Sequence, residues 1–280
     1  MTKKVLNVVQ YVFLIIASFI SIFPIFWMII AATNKSVDVT RGTLLPGTYF
    51  LENMKTLLES DLQYLTAYKN SLIIAVVTTA LAMIVSSAAG YAFVVYRTRA
   101  RERIFSIVLL SMMVPFAALM VPLFRLFSKF NSMGPLKAIG LNTPMSVIII
   151  AIATAFLIFF FRQNTQSFPK ELIEAARMDG SNEFQTFHKL VLPLCKNGIS
   201  DIAIFQFLWV WEDYLWPYLM IDSEKKQLLA VGLTLFNGRY STDYGGLFAA
   251  TTISILPVII VYVIFQKRFV AGVAAGAVKG

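Results

Sequence analysis

The 280-residue chain has little charge and few of the residues from which soluble enzymes build reactive sites. Only 14% of its residues are charged, whereas an ordinary soluble domain carries about 25%. One cysteine, Cys195, and one histidine, His188, exclude a disulfide framework and disfavour a self-contained site of histidine and cysteine ligands. An intramembrane enzyme would need a buried nucleophile and a base. We therefore expect no catalytic residue, no metal site and no cofactor bound by this chain.

Apolar residues make up 58% of the chain and collect in long runs. Spanning a bilayer takes about 20 mostly apolar residues, and this length predicts an all-α, polytopic membrane protein with six transmembrane helices. The net charge of +9 comes from short clusters between these runs, so the expected partner is the lipid bilayer and not a nucleic acid. We expect one domain, 1–280, with spans near 9–32, 71–96, 104–127, 145–161, 199–221 and 246–265, a loop 162–198 and a tail 267–280.

The distribution of basic residues predicts the orientation. Loops on the cytoplasmic side of a membrane carry an excess of lysine and arginine. The densest cluster, Arg97, Arg99, Arg101 and Arg103, follows the second span. It predicts that both termini, the loop 162–198 and the tail lie on the cytoplasmic side of a bacterial cell membrane.

Acidic residues interrupt the fifth span. A charge at membrane depth is costly without a partner or water, so it indicates a functional site. The pair Glu212 and Asp213, with Tyr214 beside it, is therefore our candidate for a substrate pathway. The alternative is that the pair lies at the outer interface, where the cost of the charge is small.

Small residues recur on one face of the second span. Ser71, Ala75, Thr78, Ala82, Ser86 and Gly90 follow one another every three or four residues, which lets another helix approach closely. The face predicts either ordinary packing within the bundle or the lining of a gated pathway. Prolines are expected to kink or end the third, fifth and sixth spans, at Pro115, Pro122, Pro217 and Pro257.

The loop 162–198 contains a charged segment with clear helix signals. Pro169 suits the first helical position, Glu171 favours the positive end of the helix dipole, and Gly180 predicts the helix end. A narrow apolar stripe is predicted from Leu172, Ile173 and Ala176.

A second helix is predicted to follow at once. Asn182 with Gln185 three residues later has the pattern of a capping box, and Pro193 ends or redirects the helix before the next span. From the periodicity alone, the segment is a helical hairpin that rests on the membrane surface.

The same segment resembles a known motif. Glu174-Ala175-Ala176, then Asp179-Gly180, then Leu192-Pro193 resembles the EAA loop of ABC importer permeases, including the spacing from the glycine to Leu-Pro. Four further stretches resemble the carbohydrate-uptake branch of the maltose-transporter type. They are 70–72, 121–124, 211–217 and 272–280. Where that branch commonly has Trp-Asn-x-Phe, this chain has Trp211-Glu212-Asp213-Tyr214.

The resemblance implies a permease subunit of an ATP-driven importer for a sugar or oligosaccharide, with a type I ABC importer fold. It implies a second homologous permease, two ABC ATPase subunits and an extracytoplasmic solute-binding protein as partners. The tail, with Lys279 and Gly280, is implied to contact the ATPase as well. The ATPase-coupling residues implied are Glu171, Leu172, Ile173, Glu174, Ala175, Ala176, Asp179, Gly180, Leu192 and Pro193.

The chain has no Gly-x-x-x-x-Gly-Lys-Ser/Thr phosphate-binding loop. ATP and Mg²⁺ are therefore expected on the partner ATPase, and the chain itself is expected not to be an enzyme. One alternative is a secondary transporter or channel, which would call for ionisable residues at mid-membrane and internal inverted repeats. Another is an ABC permease for a polyol or glycerol phosphate.

Overall fold

A computed structural model describes residues 3–60, 63–166, 168–234 and 242–277. Within these residues the secondary structure is helical, with no β-strand. Short 3-10 helices span Gly134–Ile139 and Glu224–Lys226, and a π-helix spans Thr186–Val191. The α-helices are Lys3–Ala32, Ser36–Thr40, Phe50–Glu59, Tyr64–Val95, Arg99–Ser111, Phe116–Phe130, Pro144–Ala151, Ala155–Gln166, Lys170–Met178, Glu183–Gln185, Leu192–Leu194, Lys196–Glu212, Leu215–Met220, Leu229–Leu233, Tyr244–Ser254 and Leu256–Ala277.

Helices long and apolar enough to cross a membrane confirm the all-α membrane fold. Four candidates in the described part of the chain are Lys4–Ala32, Tyr64–Val95, Pro144–Gln166 and Tyr244–Gln266. Two bent helix pairs bring the number to 6 if each pair is one span. The first pair, Arg99–Ser111 with Phe116–Phe130, is bent by 103°, and the second, Glu183–Leu194 with Gly198–Glu212, by 83°.

Helix interruptions fall beside the predicted prolines. Pro115 separates the first bent pair, and Pro257 follows the turn at Ile255 that divides Tyr244–Ser254 from Leu256–Ala277. A proline has no N–H to donate and its ring crowds the preceding turn, so a helix bends or stops there. Pro122 instead lies inside Phe116–Phe130.

One compact unit comprises Met1–Leu65 and Gly232–Leu256. Its long helix Lys3–Ala32 packs on Tyr244–Ser254, where the rings of Trp27 and Phe248 meet edge to face at 5.1 Å. Asn53 Nδ2 donates to the carbonyl oxygens of Ala32 and Asn34, both at 2.9 Å. The helix Phe50–Glu59 is therefore tied through Asn53 to the C-terminal end of Lys3–Ala32.

The second compact unit comprises Thr66–Val231 and Pro257–Gly280. The small-residue face of Tyr64–Val95 is buried here: Ala75, Thr78, Ala82 and Ser86 are 0% exposed. A Cβ at Gly90 would lie 2.6 Å from the Phe161 Cβ, so only glycine allows this approach. The small-residue face therefore packs against other helices of the bundle, which is the first of the two interpretations given above.

The N-terminal part of Tyr64–Val95 holds another segment of the chain by hydrogen bonds. Asn70 Nδ2 donates to the carbonyl oxygens of Lys225 and Gln227, both at 3.1 Å. Ser71 Oγ accepts from the Leu229 backbone N–H at 2.8 Å. The first of the stretches that resemble carbohydrate permeases, 70–72, thus supplies the side chains that fix residues 225–229.

Candidate functional site

The loop helix, Lys170–Met178, begins one residue later than the sequence suggested. Pro169 is the N-cap, with φ −62° and ψ 121°, and not the first helical residue. Its extended backbone still directs the chain into the helix, because the proline ring fixes φ near the helical value. Glu171 lies in the first turn and Arg177 in the last, where each charge favours the helix dipole.

Gly180 ends the loop helix as predicted, in a Schellman motif. Its φ is +82°, a left-handed conformation that glycine adopts without strain. The Ser181 N–H donates to the Ala176 carbonyl and the Gly180 N–H to the Arg177 carbonyl, both at 3.0 Å. These two bonds satisfy carbonyls that would otherwise be left open at the helix end.

The capping box predicted at Asn182 is present. The Gln185 N–H donates to Asn182 Oδ1 at 2.9 Å, and the Asn182 N–H donates to Gln185 Oε1 at 3.1 Å. The helix widens to the π form over Thr186–Val191 just before Pro193, which has no N–H for a regular ladder. The chain turns at Cys195 into Lys196–Glu212, so Pro193 precedes a redirection, as expected.

The Ile173 side chain is buried against other parts of this chain and does not lie on the exposed face of the loop helix. It is 3% exposed and packs in a core cluster with Tyr91 and Val191. Phe187 and Cys195 pack around this cluster. Of the predicted apolar stripe, Ile173 thus points inward, whereas Leu172 is 44% exposed. One residue of rotation on a helix is about 100°, which is enough to divide the stripe between two surfaces.

A polar contact joins the same elements. Arg177 Nη2 lies 2.7 Å from Glu183 Oε1, and the Tyr91 hydroxyl donates to Glu183 Oε2 at 3.1 Å. Glu183 therefore connects the end of the loop helix to the start of the next helix and to the C-terminal part of Tyr64–Val95. We call Ile173, Val191, Tyr91, Arg177 and Glu183 the loop anchor.

The outward face of the loop helix combines acidic and apolar side chains. Met178 is 88% exposed, and Phe184, just beyond the glycine turn, is 74% exposed and stacks on the His188 ring. Among the other predicted coupling residues, Ala176 and Leu192 are half-buried. Exposed ones are Glu171, Glu174, Ala175, Asp179, Gly180 and Pro193.

The predicted coupling residues include Ile173 of the loop anchor but not Met178, Phe184 or the other four anchor residues. Met178 lies one turn after Glu174 and Ala175, so extending the helical period to the last turn would have placed it on their face. Tyr91 gave no signal, since it lies 92 residues from Glu183 and closes a contact that only the fold creates. The predicted tail residues Lys279 and Gly280 lie outside the described residues.

The predicted pathway residues Glu212, Asp213 and Tyr214 lie together in the wall of a cavity of about 760 Å³. The helix Lys196–Glu212 ends at this point, and two residues separate it from Leu215–Met220. The remaining lining residues are Phe116, Val147, Ile150, Ala151, Thr154, Phe156, Phe205, Gln206, Trp209, Val210 and Leu215.

Three helix interruptions border this cavity. Phe116 follows the break at Pro115, Thr154 lies in the break between Pro144–Ala151 and Ala155–Gln166, and Asp213 lies in the third. Irregular backbone at membrane depth is tolerated where it is buried in protein or lines a cavity. The Gln206 side chain stabilises one break, because its Nε2 donates to the Ala151 carbonyl at 3.0 Å.

Metal chemistry finds no support in the described residues, where no group of three or more histidine, cysteine or acidic side chains could hold an ion. Burial raises the pKa of the Cys195 thiol, against a smaller lowering by its hydrogen bond with Thr165. A thiol held protonated in this way is a weak nucleophile.

Comparisons with known proteins give a consistent result. Residues 87–275 match the family described as "Binding-protein-dependent transport system inner membrane component". The lactose transport system permease protein LacG of Rhizobium radiobacter is 36% identical over 277 residues, 99% of this chain and 98% of that one. The arabinooligosaccharides transport system permease protein AraQ of Halalkalibacterium halodurans is 36% identical over 267 residues, 94% of this chain and 93% of that one.

A solved structure shares the fold. It is a bacterial ABC transporter involved in the import of the acidic polysaccharide alginate, with a TM-score of 0.81 and 25% identity over 96% of this chain and 99% of that chain. The segment that matches the family, residues 87–275, contains the loop helix, the loop anchor and the cavity wall described above. The chain therefore belongs to the family of binding-protein-dependent transport system inner membrane components, as a transport permease subunit.

Proposed function

We propose that this chain is the permease subunit of an ATP-driven importer that moves a sugar or oligosaccharide across the bacterial inner membrane. Its partners are a second homologous permease, two ABC ATPase subunits and an extracytoplasmic solute-binding protein. The family description supports the binding protein, and the names of the relatives, a lactose and an arabinooligosaccharide permease, support the sugar. Both termini lie on the cytoplasmic side, as the arginine cluster after the second span suggests.

The observation that carries the proposal is the anchored loop helix with its open outward face. Three apolar side chains of this segment, Leu172, Met178 and Phe184, are 44%, 88% and 74% exposed among charged residues, and apolar surface rimmed by charge is typical of a protein interface. We propose that Met178 and Leu172 enter a groove of the ATPase, while Glu174 meets a basic residue there. Ala175 keeps the face thin enough for close approach. ATP and Mg²⁺ bind the ATPase.

The loop anchor gives this contact a mechanical consequence. Ile173 and Glu183 bind the loop helix to Tyr91, which belongs to the membrane-spanning helix Tyr64–Val95. When the ATPase dimer closes and displaces the loop helix, Tyr64–Val95 is displaced with it. The two permeases then move between inward-open and outward-open states.

Purification from mild detergent with a tag on this chain tests the assembly. We expect a second permease and an ABC ATPase to co-purify, and the reconstituted complex to take up sugar only with ATP and the binding protein. A chain that purifies without an ATPase and transports sugar along an ion gradient is a secondary transporter, which contradicts the proposal.

A further inference from the structure

The wall of the 760 Å³ cavity has an unusual combination of side chains. Its volume lies within the range of small-molecule sites, about 300–1,000 Å³. Five of its lining residues are aromatic, and its hydrogen-bonding side-chain groups are two carboxylates, an amide, two hydroxyls and an indole N–H. No lysine, arginine or histidine is among the lining residues in the described part of the chain.

The aromatic residues offer flat apolar surfaces. Trp209 is 64% exposed, and its ring lies 5.9 Å from that of Phe205, which in turn lies 5.5 Å from Phe156. A sugar ring carries C–H groups on its faces and hydroxyls at its edge, so its faces pack on aromatic rings. The aromatic residues provide the large apolar contact area, which dominates the energy of such interfaces.

The polar groups offer acceptors at the edge of these surfaces. Gln206 is 3% exposed and is held in place by its hydrogen bond to Ala151, so its amide is pre-positioned at the wall. Glu212 adds two carboxylate oxygens at the end of its helix, and an ionised carboxylate only accepts hydrogen bonds. Sugar hydroxyls are donors that match both groups.

The charge of the wall selects against anions. Glu212 is exposed, and no basic side chain among the described residues of the wall offsets it. The neighbouring Asp213 adds a second carboxyl group, one oxygen of which accepts a hydrogen bond from the Trp216 N–H at 3.4 Å. A phosphate or uronate group in this cavity would lie near like charges, where repulsion is strong because a partly apolar wall screens poorly. The structural neighbour belongs to a transporter of an acidic polysaccharide, so fold alone does not set this preference.

We propose that this cavity is a subsite for an uncharged sugar unit, and that Glu212 makes the chain reject phosphorylated or uronic acid substrates. The aromatic rings hold the faces of the sugar, and Gln206 and Glu212 accept hydrogen bonds from its hydroxyl groups. This inference rests on the proposed function and adds the substrate class to it.

The test uses the whole reconstituted importer in vesicles, with labelled neutral oligosaccharides, uronic acid oligosaccharides and glycerol phosphate as probes. We expect ATP-dependent uptake of a neutral oligosaccharide and at least tenfold less of either anionic probe. Glu212→Gln removes a charged acceptor and should reduce neutral uptake about tenfold. It should also lessen the discrimination against anions. The control is Glu224→Gln, an exposed acidic residue outside the cavity, which should change neither property.

A second pair of variants separates contact from folding. Trp209→Ala removes an exposed ring from the wall and should raise the sugar concentration for half-maximal uptake, while Tyr262→Ala, also exposed but outside the wall, should not. Uptake of all sugars that continues unchanged in Glu212→Gln and Trp209→Ala overturns the subsite, as does an importer that prefers an anionic probe. Absence of ATP-dependent uptake of every probe, with no co-purified ATPase, overturns instead the proposed function.

Discussion

Gly180 determines the direction in which the chain leaves the loop helix. A β-carbon there would meet nothing within 4 Å, so the constraint comes from the positive φ and not from crowding. A side chain costs about 1–2 kcal/mol in the left-handed conformation, and asparagine tolerates it better than other residues. A substitution at Gly180 therefore tests backbone strain without adding a steric clash.

We expect Gly180→Val to leave the protein inserted in the membrane but to re-aim the helices on either side of the turn. Substrate-stimulated ATP hydrolysis in reconstituted vesicles should fall several-fold. Gly180→Asn is the matched variant and should retain most of the stimulation. Equal coupling in both variants and the unmodified protein would show that the turn does not set the docking geometry.

Met178 is the apolar side chain most clearly available to a partner. Burying a methionine contributes about 1.5–3 kcal/mol, which corresponds to a tenfold or larger change in affinity. We expect Met178→Ser to weaken ATPase binding about tenfold, measured by titrating the purified ATPase onto the permeases in nanodiscs. Met133→Ser, in an exposed segment far along the chain from the loop, is the control and should bind normally.

The loop helix is attached to its span by an apolar and a polar contact of unequal strength. Arg177 and Glu183 are 38% and 45% exposed, and an ion pair of that exposure contributes at most about 1 kcal/mol. Truncating a buried isoleucine to alanine costs about 2–5 kcal/mol. The apolar contact of Ile173 should therefore dominate.

We expect Ile173→Ala to release the loop, with faster hydrogen exchange over 168–194 and a loss of stimulated ATP hydrolysis. Glu183→Gln should change both by a much smaller amount. If Glu183→Gln has the larger effect, the network with Tyr91 carries the attachment and the ranking by burial is wrong.

The elements of the loop illustrate what local sequence predicts well. The Gly180 stop and the Asn182 capping box depend on neighbours within five residues, and both are confirmed. The inward turn of Ile173 depends on Tyr91, whose contact with the loop exists only after the spans assemble. The helical periodicity identified the apolar stripe, but it could not predict which of its residues would be buried against the rest of the chain.

In the membrane-spanning helices, too, local sequence predicts some features, whereas others depend on contacts between distant residues. Long apolar runs predicted where the membrane-crossing helices lie, because the bilayer thickness sets their length, but not their bounds: the helix predicted at 71–96 begins at Tyr64, and the one predicted at 199–221 ends at Glu212. The breaks at 152–154 and 213–214 were only partly foreseen, at Pro217 and through the acidic pair. The first of them has no proline, and side chains such as Gln206 stabilise it from a different helix.

The orientation of the whole chain can be tested by cysteine labelling, because only Cys195 has to be replaced to obtain a cysteine-free background. In a Cys195→Ala background, Arg99→Cys and Lys189→Cys should react with a membrane-impermeant maleimide only from the cytoplasmic side. Leu51→Cys and Glu224→Cys, which are also exposed, should react only from the opposite side. Labelling of both sets from one side would contradict a chain that crosses the membrane six times with both termini inside.

The unbroken helix Tyr64–Val95 has 32 residues and no proline, which gives it a length of about 48 Å at 1.5 Å per residue. Its C-terminal part contacts the loop through Tyr91, and its N-terminal part holds residues 225–229 through Asn70 and Ser71. A rod without a hinge transmits tilt to both of its ends at once. A movement imposed on the loop would therefore displace residues 225–229, and a movement of residues 225–229 would return along the same rod to the loop.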